Sequence, residues 1–209
     1  MMLNINGIAH ERDELSGIVR QVNPAPFKYT LEYAQAQSTT IEMSYLRISL
    51  LASIMGYDAF TAARVLELGP GAGTLMNALK KHCASVDGFD VVRSKYSTVT
   101  EADAMRSKWD LLIACDVIEH LPEANSFFEY DFEWAYISLP AMPKDIEKMS
   151  TWRHFKPNQH LWYFTPRDFC QWVEQHGYEI KYSGHTEDLI RRRWDDSEPN
   201  ITNVVIKRK

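Results

Sequence analysis

The chain has 209 residues and a formal net charge of −5, with 23 Lys and Arg against 28 Asp and Glu. That length suits one domain able to bury about 70% of its unfolded surface, and the acidic balance argues against a nucleic-acid partner, which calls for clustered Lys and Arg. Cys83, Cys115 and Cys170 fit no zinc spacing and read as free thiols in a reducing, cytoplasmic setting, while no secretory pattern opens the chain and no apolar run is long enough to span a membrane.

Residues 1–27 read as a polar lead-in ending at the extended elbow Pro24-Ala25-Pro26. From Leu31 to Met55 apolar residues recur at helical spacing, with Met43, Leu46, Leu50 and Ile54 on one stripe. Val65-Leu66-Glu67-Leu68 then reads as a buried parallel strand, because apolar runs suit strands covered on both faces. It breaks into Gly69-Pro70-Gly71-Ala72-Gly73, after which Thr74 to Lys81 continues as a helix. Glycines at alternate positions let the chain turn sharply and bring a ligand against bare main chain. A dinucleotide fingerprint would set its last glycine where Thr74 stands, so the spacing disfavours hydride transfer.

Ala84 to Val92 reads as the next strand, with Asp90 lying 19 residues beyond Gly71. An acid at that strand tip is placed to accept from both hydroxyls of a ribose. Asp87 is the rival, but strand alternation points it the other way and it lies short of the tip. Lys108 to Cys115 gives a third apolar strand, followed by Asp116-Val117-Ile118-Glu119-His120-Leu121 and Pro122. If a helical turn starts at Asp116, Glu119 and His120 share its face, and His120 is a candidate general base because imidazole titrates near neutrality. Trp134 to Leu139 is a further strand. Thr165 and Pro166 open a helix that Gly177 can end, and Gly177–Tyr182 with Asn203–Lys207 can form the closing strand pair.

Taken in this order and at these spacings, the glycine turn, the acid on the neighbouring strand and the Asp-Val-Ile-Glu-His-Leu segment resemble the class I S-adenosylmethionine-dependent methyltransferases, over roughly residues 60 to 209. The resemblance implies one α/β domain over residues 1–209: a Rossmann-like, seven-stranded, mostly parallel sheet with helices on both faces and its last strand antiparallel over 61–209, behind an N-terminal helical cap over 1–60. It implies S-adenosylmethionine as cofactor, with Gly69, Pro70, Gly71 and Gly73 against its methionine and ribose portions. Glu67 would organise the turn and the donor's ammonium, Asp90 would hold the ribose, and Asp116 would sit beside the donor at the tip of the fourth strand. Tyr29, Tyr33 and Arg47 of the cap are further possible contacts. The family's adenine contact maps onto Asp103-Ala104, only 13 residues beyond Asp90. The stretch from Val91 to Thr100 cannot supply both a crossover helix and a strand, so a shortened second crossover with a short third strand near Thr98 to Ala102 is expected.

Residues 140–164 form a long connection carrying Trp152, His154, Phe155, His160 and Trp162, and long loops in compact domains tend to be functional. Aromatic walls with a few cations and histidines suit a planar or anionic small-molecule acceptor, methylated on oxygen or nitrogen. His154 and His160 join His120 as candidate bases. No metal site is expected, since no carboxylate stands at ligand spacing from His154 or His160. Two rival readings are a macromolecular acceptor and a binding module without activity. The first lacks an Asn-Pro-Pro-Tyr-like segment and a basic balance; an intact Glu67, glycine turn and Asp90 argue against the second. The run Arg191-Arg192-Arg193 reads as a solvated loop or helix end.

Overall fold

The computed structural model describes residues 1–36, 39–192 and 198–209, and Arg193 lies outside the described residues. The chain opens with three short strands, β1 (Met2–Ile5), β2 (Ile8–Arg12) and β3 (Val19–Gln21), followed by helices α1 (Leu31–Ala36), α2 (Ile41–Met55) and α3 (Tyr57–Ala62). The core alternates β4 (Arg64–Leu68), α4 (Thr74–Leu79), β5 (Ser85–Phe89), α5 (Glu101–Arg106), β6 (Lys108–Cys115) and β7 (Asp131–Pro140). After the two-residue β8 (Trp162–Tyr163) come α6 (Pro166–Gln175), β9 (Tyr178–Gly184), α7 (Asp188–Arg191) and β10 (Ile201–Arg208). No helix among the described residues is long and apolar enough to cross a membrane.

The main sheet runs β5-β4-β6-β7-β10-β9, with β4 to β7 mutually parallel and β10 antiparallel to both its neighbours. Period-two alternation splits its apolar residues between two layers. Leu66, Leu112 and Ala114 pack with Trp109, Phe169 and Trp172 on one face. Val65, Leu111 and Ile113 pack on the other with Ile48, Leu51, Phe60 and Leu75 from the helices α2 to α4. Thr165 caps α6 by accepting the Asp168 N–H at 3.2 Å with Pro166 in its first turn, as the sequence predicts.

Two expectations are corrected here. The main sheet has six strands among the described residues, and no third strand forms near Thr98 to Ala102. That segment instead clings to the edge of β5, where Thr98 N donates to Gly88 O at 2.9 Å and Gly88 N donates to Thr98 Oγ1 at 3.0 Å. A side-chain hydroxyl thus replaces the next strand's carbonyl, and Thr100 at once caps α5. The crossover is short, as the residue count requires.

The N-terminal segment is helical only from Leu31. Before it, β1 and β2 form a two-residue hairpin at Asn6-Gly7, both at positive φ (52° and 82°), which is the turn chemistry such hairpins need. These strands continue through β3 to β8, so the small sheet β1-β2-β3-β8 joins residues 1–21 to the end of the 140–164 connection. Ile5, Val19, Met142, Met149, Trp152 and Tyr163 form a separate apolar core beneath it. Trp152 and Tyr163 therefore pin the long loop to this sheet.

Candidate active site at the carboxyl edge of the sheet

β4 ends in a turn whose three glycines all have positive φ: 64° at Gly69, 52° at Gly71 and 73° at Gly73. A side chain would be crowded at two of them, mildly at Gly69 and severely at Gly73. A Cβ on Gly69 would come within 3.0 Å of Val117 Cγ2, and one on Gly73 would lie 2.3 Å from the Tyr96 ring. Gly69 N donates to Phe89 O at 2.8 Å, which locks the turn to the tip of β5. Immediately beyond that tip, Asp90 accepts from Val92 N at 3.0 Å and from the Gly71 amide. Burial raises the Asp90 pKa, opposed by these two N–H groups. The structure thus brings together the two features that the sequence singles out, the glycine turn with buried Pro70 and the acid at the neighbouring strand tip. Asp87, in mid-strand, accepts instead from Thr98 Oγ1 at 2.8 Å.

Glu67 points from β4 into the layer under α2 and α4. It accepts from the Met76 amide, its Oε2 has no partner, and burial pushes its pKa up to about 8 despite Arg47. Asp103 lies elsewhere. It is exposed, and Thr100 Oγ1 donates to its carboxylate at 2.7 Å while Asp103 N donates back to Thr100 Oγ1 at 3.2 Å. This reciprocal cap of α5 occupies the side chain expected at the adenine.

Asp116 follows β6 in the left-handed region (φ 54°), with its N–H donated to Ser138 O of β7 at 2.8 Å. Its carboxylate is taken by Arg191 of α7, at 3.2 Å to Oδ1 and 2.5 Å to Oδ2. Arg191 also pairs with Glu187 at 3.1 Å; Glu187 holds Arg47 of α2 through contacts of 2.8 and 3.0 Å and accepts from Tyr136 Oη at 2.7 Å. Arg47 and Glu187 are only 2% and 0% exposed, so an alternating chain of four charges runs from the layer beneath the sheet to its carboxyl edge. Burial acts to raise the Asp116 pKa, but Arg191 outweighs it and holds the group at about 2. The sequence reading of residues 191–193 as a solvated end is corrected at Arg191. The signal available was the i,i+4 spacing of Glu187 and Arg191 and the presence of Arg47, the one basic residue of α2.

A tight 3₁₀ turn over Ile118–His120 presents Glu119 and His120 next to Asp116. Glu119 is 2% exposed, neither of its carboxylate oxygens has a hydrogen-bond partner, and burial together with Asp116 drives its pKa well above the usual carboxylate range. His120 Nδ1 lies 2.8 Å from Gln159 O and 3.0 Å from Tyr29 Oη. A carbonyl only accepts, so the ring proton sits on Nδ1 and Nε2 keeps its lone pair. The His160 ring stands perpendicular to His120 with centroids 4.6 Å apart, and burial lowers its pKa to about 2. Leu161 N donates to Glu119 O at 2.7 Å, tying the end of the long connection to the Glu119 turn. One ligand atom from each of Glu119, His120 and His160 lies within 4.8 Å of the others. This corrects the expectation at His160, which has a carboxylate near it in space: the separation of 41 positions between Glu119 and His160 hid the grouping. His154 stands apart from the trio, half-buried, with Nε2 2.6 Å from Asn200 Oδ1. Beside His120, the rings of Phe27, Tyr29 and Tyr33 stack edge to face, and Gln159 Nε2 donates to Tyr33 Oη.

A mostly parallel sheet with a glycine turn after its first core strand, an acid at the next strand tip and a second acid beyond β6 defines a Rossmann-like class I methyltransferase fold. The chain belongs to the methyltransferase-domain family, whose model matches residues 42–183. Solved structures agree on the fold. The 1,6-didemethyltoxoflavin-N1-methyltransferase of Burkholderia thailandensis, crystallised with 1,6-didemethyltoxoflavin and S-adenosylhomocysteine, superimposes with a TM-score of 0.60 at 12% identity, covering 96% of this chain and 98% of that one. The magnesium protoporphyrin IX methyltransferase of Synechocystis, crystallised with S-adenosylhomocysteine, gives 0.54 at 14% identity, covering 88% and 90%. An S-adenosylmethionine-dependent methyltransferase of Clostridium acetobutylicum gives 0.57 at 10%, covering 83% and 93%. No curated protein sequence matches the chain.

Proposed function

We propose that the protein binds S-adenosylmethionine at the carboxyl edge of β4, β5 and β6 and transfers its methyl group to an oxygen or nitrogen of a small molecule. The observation that carries this reading is the junction of Gly71 and Asp90, where bare main chain and a carboxylate converge at the ends of β4 and β5. The residues fit the donor on two further counts. Gly69 is exposed at the turn, where main chain can lie against a ligand, and Glu67 keeps a buried oxygen without a partner. When bound, the donor supplies an electrophilic methyl on a sulfonium, already fitted with a good leaving group. The chain then has to orient donor and acceptor, exclude water and accept a proton.

On this reading Asp90 holds the ribose hydroxyls, and Asp116 borders the reacting edge with its charge fixed by Arg191. Of the three candidate histidines, His154 is assigned the proton. Its Nε2 faces the Asn200 carbonyl oxygen as a donor, which leaves Nδ1 as acceptor, and it is less buried than His160. The acceptor is assigned to the edge beside the Phe27-Tyr29-Tyr33 cluster, where aromatic faces suit a planar molecule. The net charge of −5 favours a small molecule over nucleic acid.

Calorimetry with S-adenosylhomocysteine tests the reading. Binding is expected, and Asp90→Ala is expected to weaken it by about 1–3 kcal/mol, the scale of hydrogen bonds to a charged group. Tight binding of NAD with none of the homocysteine compound overturns the proposal, and an unchanged affinity in Asp90→Ala overturns the ribose assignment.

A further inference from the structure

We infer that Glu119, His120 and His160 form a binding site for a first-row divalent metal ion. The trio combines the requirements of such a site in a way that a packed core does not. Glu119 is 2% exposed and both of its oxygens lack any hydrogen-bond partner. A buried carboxylate without a partner is costly when ionised, and a protonated one has no acceptor for its O–H within hydrogen-bond distance, His120 Nε2 standing 4.0 Å from Oε1. A cation answers both oxygens at once. His120 is prepared for that cation by its other nitrogen: Nδ1 donates to Gln159 O at 2.8 Å, so Nε2, 4.0 Å from Glu119 Oε1, faces the acid with a free lone pair. A backbone carbonyl fixing the far side of a ligating imidazole is the usual outer support of a metal histidine. His160 completes the set. It is 4% exposed, its ring is set edge to face against His120, and Leu161 N is bonded to Glu119 O at 2.7 Å, so its approach to the acid is built into the backbone.

The three ligand atoms lie within 4.8 Å of one another. Bonds of about 2.1 Å in a tetrahedron would set them roughly 3.4 Å apart, so closure on the ion takes side-chain movements of about an ångström. Two imidazoles and one carboxylate suit zinc and its first-row neighbours better than magnesium or calcium, which prefer all-oxygen shells. Three protein ligands leave at least one position for water or an acceptor atom, the arrangement of a reactive rather than a structural site. Resting on the methyl-transfer reading above, the site further points to an acceptor hydroxyl. The ion would lower the pKa of a hydroxyl held in that open position: its O–H bond would break, the electron pair would stay on the oxygen that becomes the nucleophile, and the proton would leave to solvent water.

The test uses chelator-stripped full-length protein with no nucleoside present, titrated with Co²⁺ and followed by visible absorption, and with Zn²⁺ by calorimetry. One ion per chain is expected. Glu119→Gln and His160→Ala are each expected to weaken binding by at least roughly 100-fold, since each removes a ligand. Far-UV circular dichroism keeps these variants interpretable, and Glu119→Gln, which keeps the shape of the side chain, should fold about as stably as the stripped wild type. Absence of a cobalt spectrum and of a zinc isotherm in the wild type overturns the inference, as does unaltered binding in both variants. Calorimetry with S-adenosylhomocysteine is read separately. Metal binding without nucleoside binding leaves this site standing and fells the donor reading, and the reverse result does the opposite.

Discussion

On the donor side of the sheet edge, Gly69, Gly71 and Asp90 come from two adjacent parallel strands and act through main chain and one carboxylate. On the acceptor side, Asp116 meets Arg191 from 75 residues away and His120 meets Tyr29 from 91 residues away, through side chains alone. The first region is fixed by the path of the backbone, which a few glycines and an apolar run dictate. The second depends on charges and rings carried by an added sheet, a long connection and a short C-terminal helix. Backbone geometry tolerates little change in residue type, whereas a side-chain constellation on separate elements can be rebuilt piece by piece around a common core. The predictions that follow break or sharpen this contrast.

The largest effect is expected at the link between the two regions. Glu187 is fully buried and holds Arg47, Arg191 and the Tyr136 hydroxyl. Glu187→Ala leaves the buried Arg47 without its counter-charge and should destabilise the protein by about 3–5 kcal/mol in urea unfolding. Pairing it with Arg47→Met should recover most of the loss, because an apolar pair of similar volume avoids the desolvation of both ions. A loss below about 1 kcal/mol for the single variant would mean that the two sides are not joined through this chain of charges.

Next comes the donor turn itself. Gly73→Ala places a Cβ 2.3 Å from the Tyr96 ring at φ 73° and should cost about 1–3 kcal/mol of stability together with affinity for S-adenosylhomocysteine. Adding Tyr96→Ala should restore the part due to collision and leave the part due to the backbone. Full restoration would show that Gly73 is there to admit the tyrosine alone.

These two sites differ in how far the sequence announces them. The strand–turn–helix at β4, the acid at Asp90 and the closing pair β9 and β10 are legible because apolar runs, glycine and local capping act over a few residues. The small N-terminal sheet is not, since β1 to β3 are short and half polar, although Asn6-Gly7 with two residues between paired Ile5 and Ile8 was a hairpin signal in plain view. The stripe expected on α2 is shifted for a similar reason. The buried face is Met43, Ser44, Arg47, Ile48 and Leu51, because the charge of Arg47 is answered by a residue 140 positions away, and helical periodicity counts a charge as outward-facing. The grouping of His160 with Glu119 is equally invisible along the chain.

The pH dependence separates the regions by sign. Asp116 is held at about 2, below its ordinary 3.8, and Glu187 is also depressed, so the stability they contribute is present above the ordinary carboxylate pKa and is lost as pH falls toward 2. Glu67 runs the other way. Its pKa rises from 4.5 to about 8, so the folded state binds the extra proton and its stability contribution declines as pH rises from about 4.5 to 8. Glu67→Gln should therefore flatten the stability curve on the alkaline side and leave the acid limb unchanged. A variant that steepens loss in acid would put Glu67 in the same ionic system as Asp116.

The smallest effect is expected at Tyr29. Its hydroxyl lies 3.0 Å from His120 Nδ1, which already donates to Gln159 O at 2.8 Å, so the tyrosine shares a proton that the backbone holds on its own. Its ring meanwhile packs edge to face with Phe27, Tyr33 and His120. Tyr29→Phe keeps those ring contacts and removes only the shared bond, so the cost in stability should stay within about 0.5–1.5 kcal/mol, with donor affinity unchanged. Tyr29→Ala removes the wall as well and should loosen the segment from Phe27 to Tyr33, read as faster amide exchange there and nowhere on the donor turn. If Tyr29→Ala also weakened S-adenosylhomocysteine binding, the aromatic cluster would be acting on the donor, and the division between a backbone-built donor side and a side-chain-built acceptor side would fail at this point.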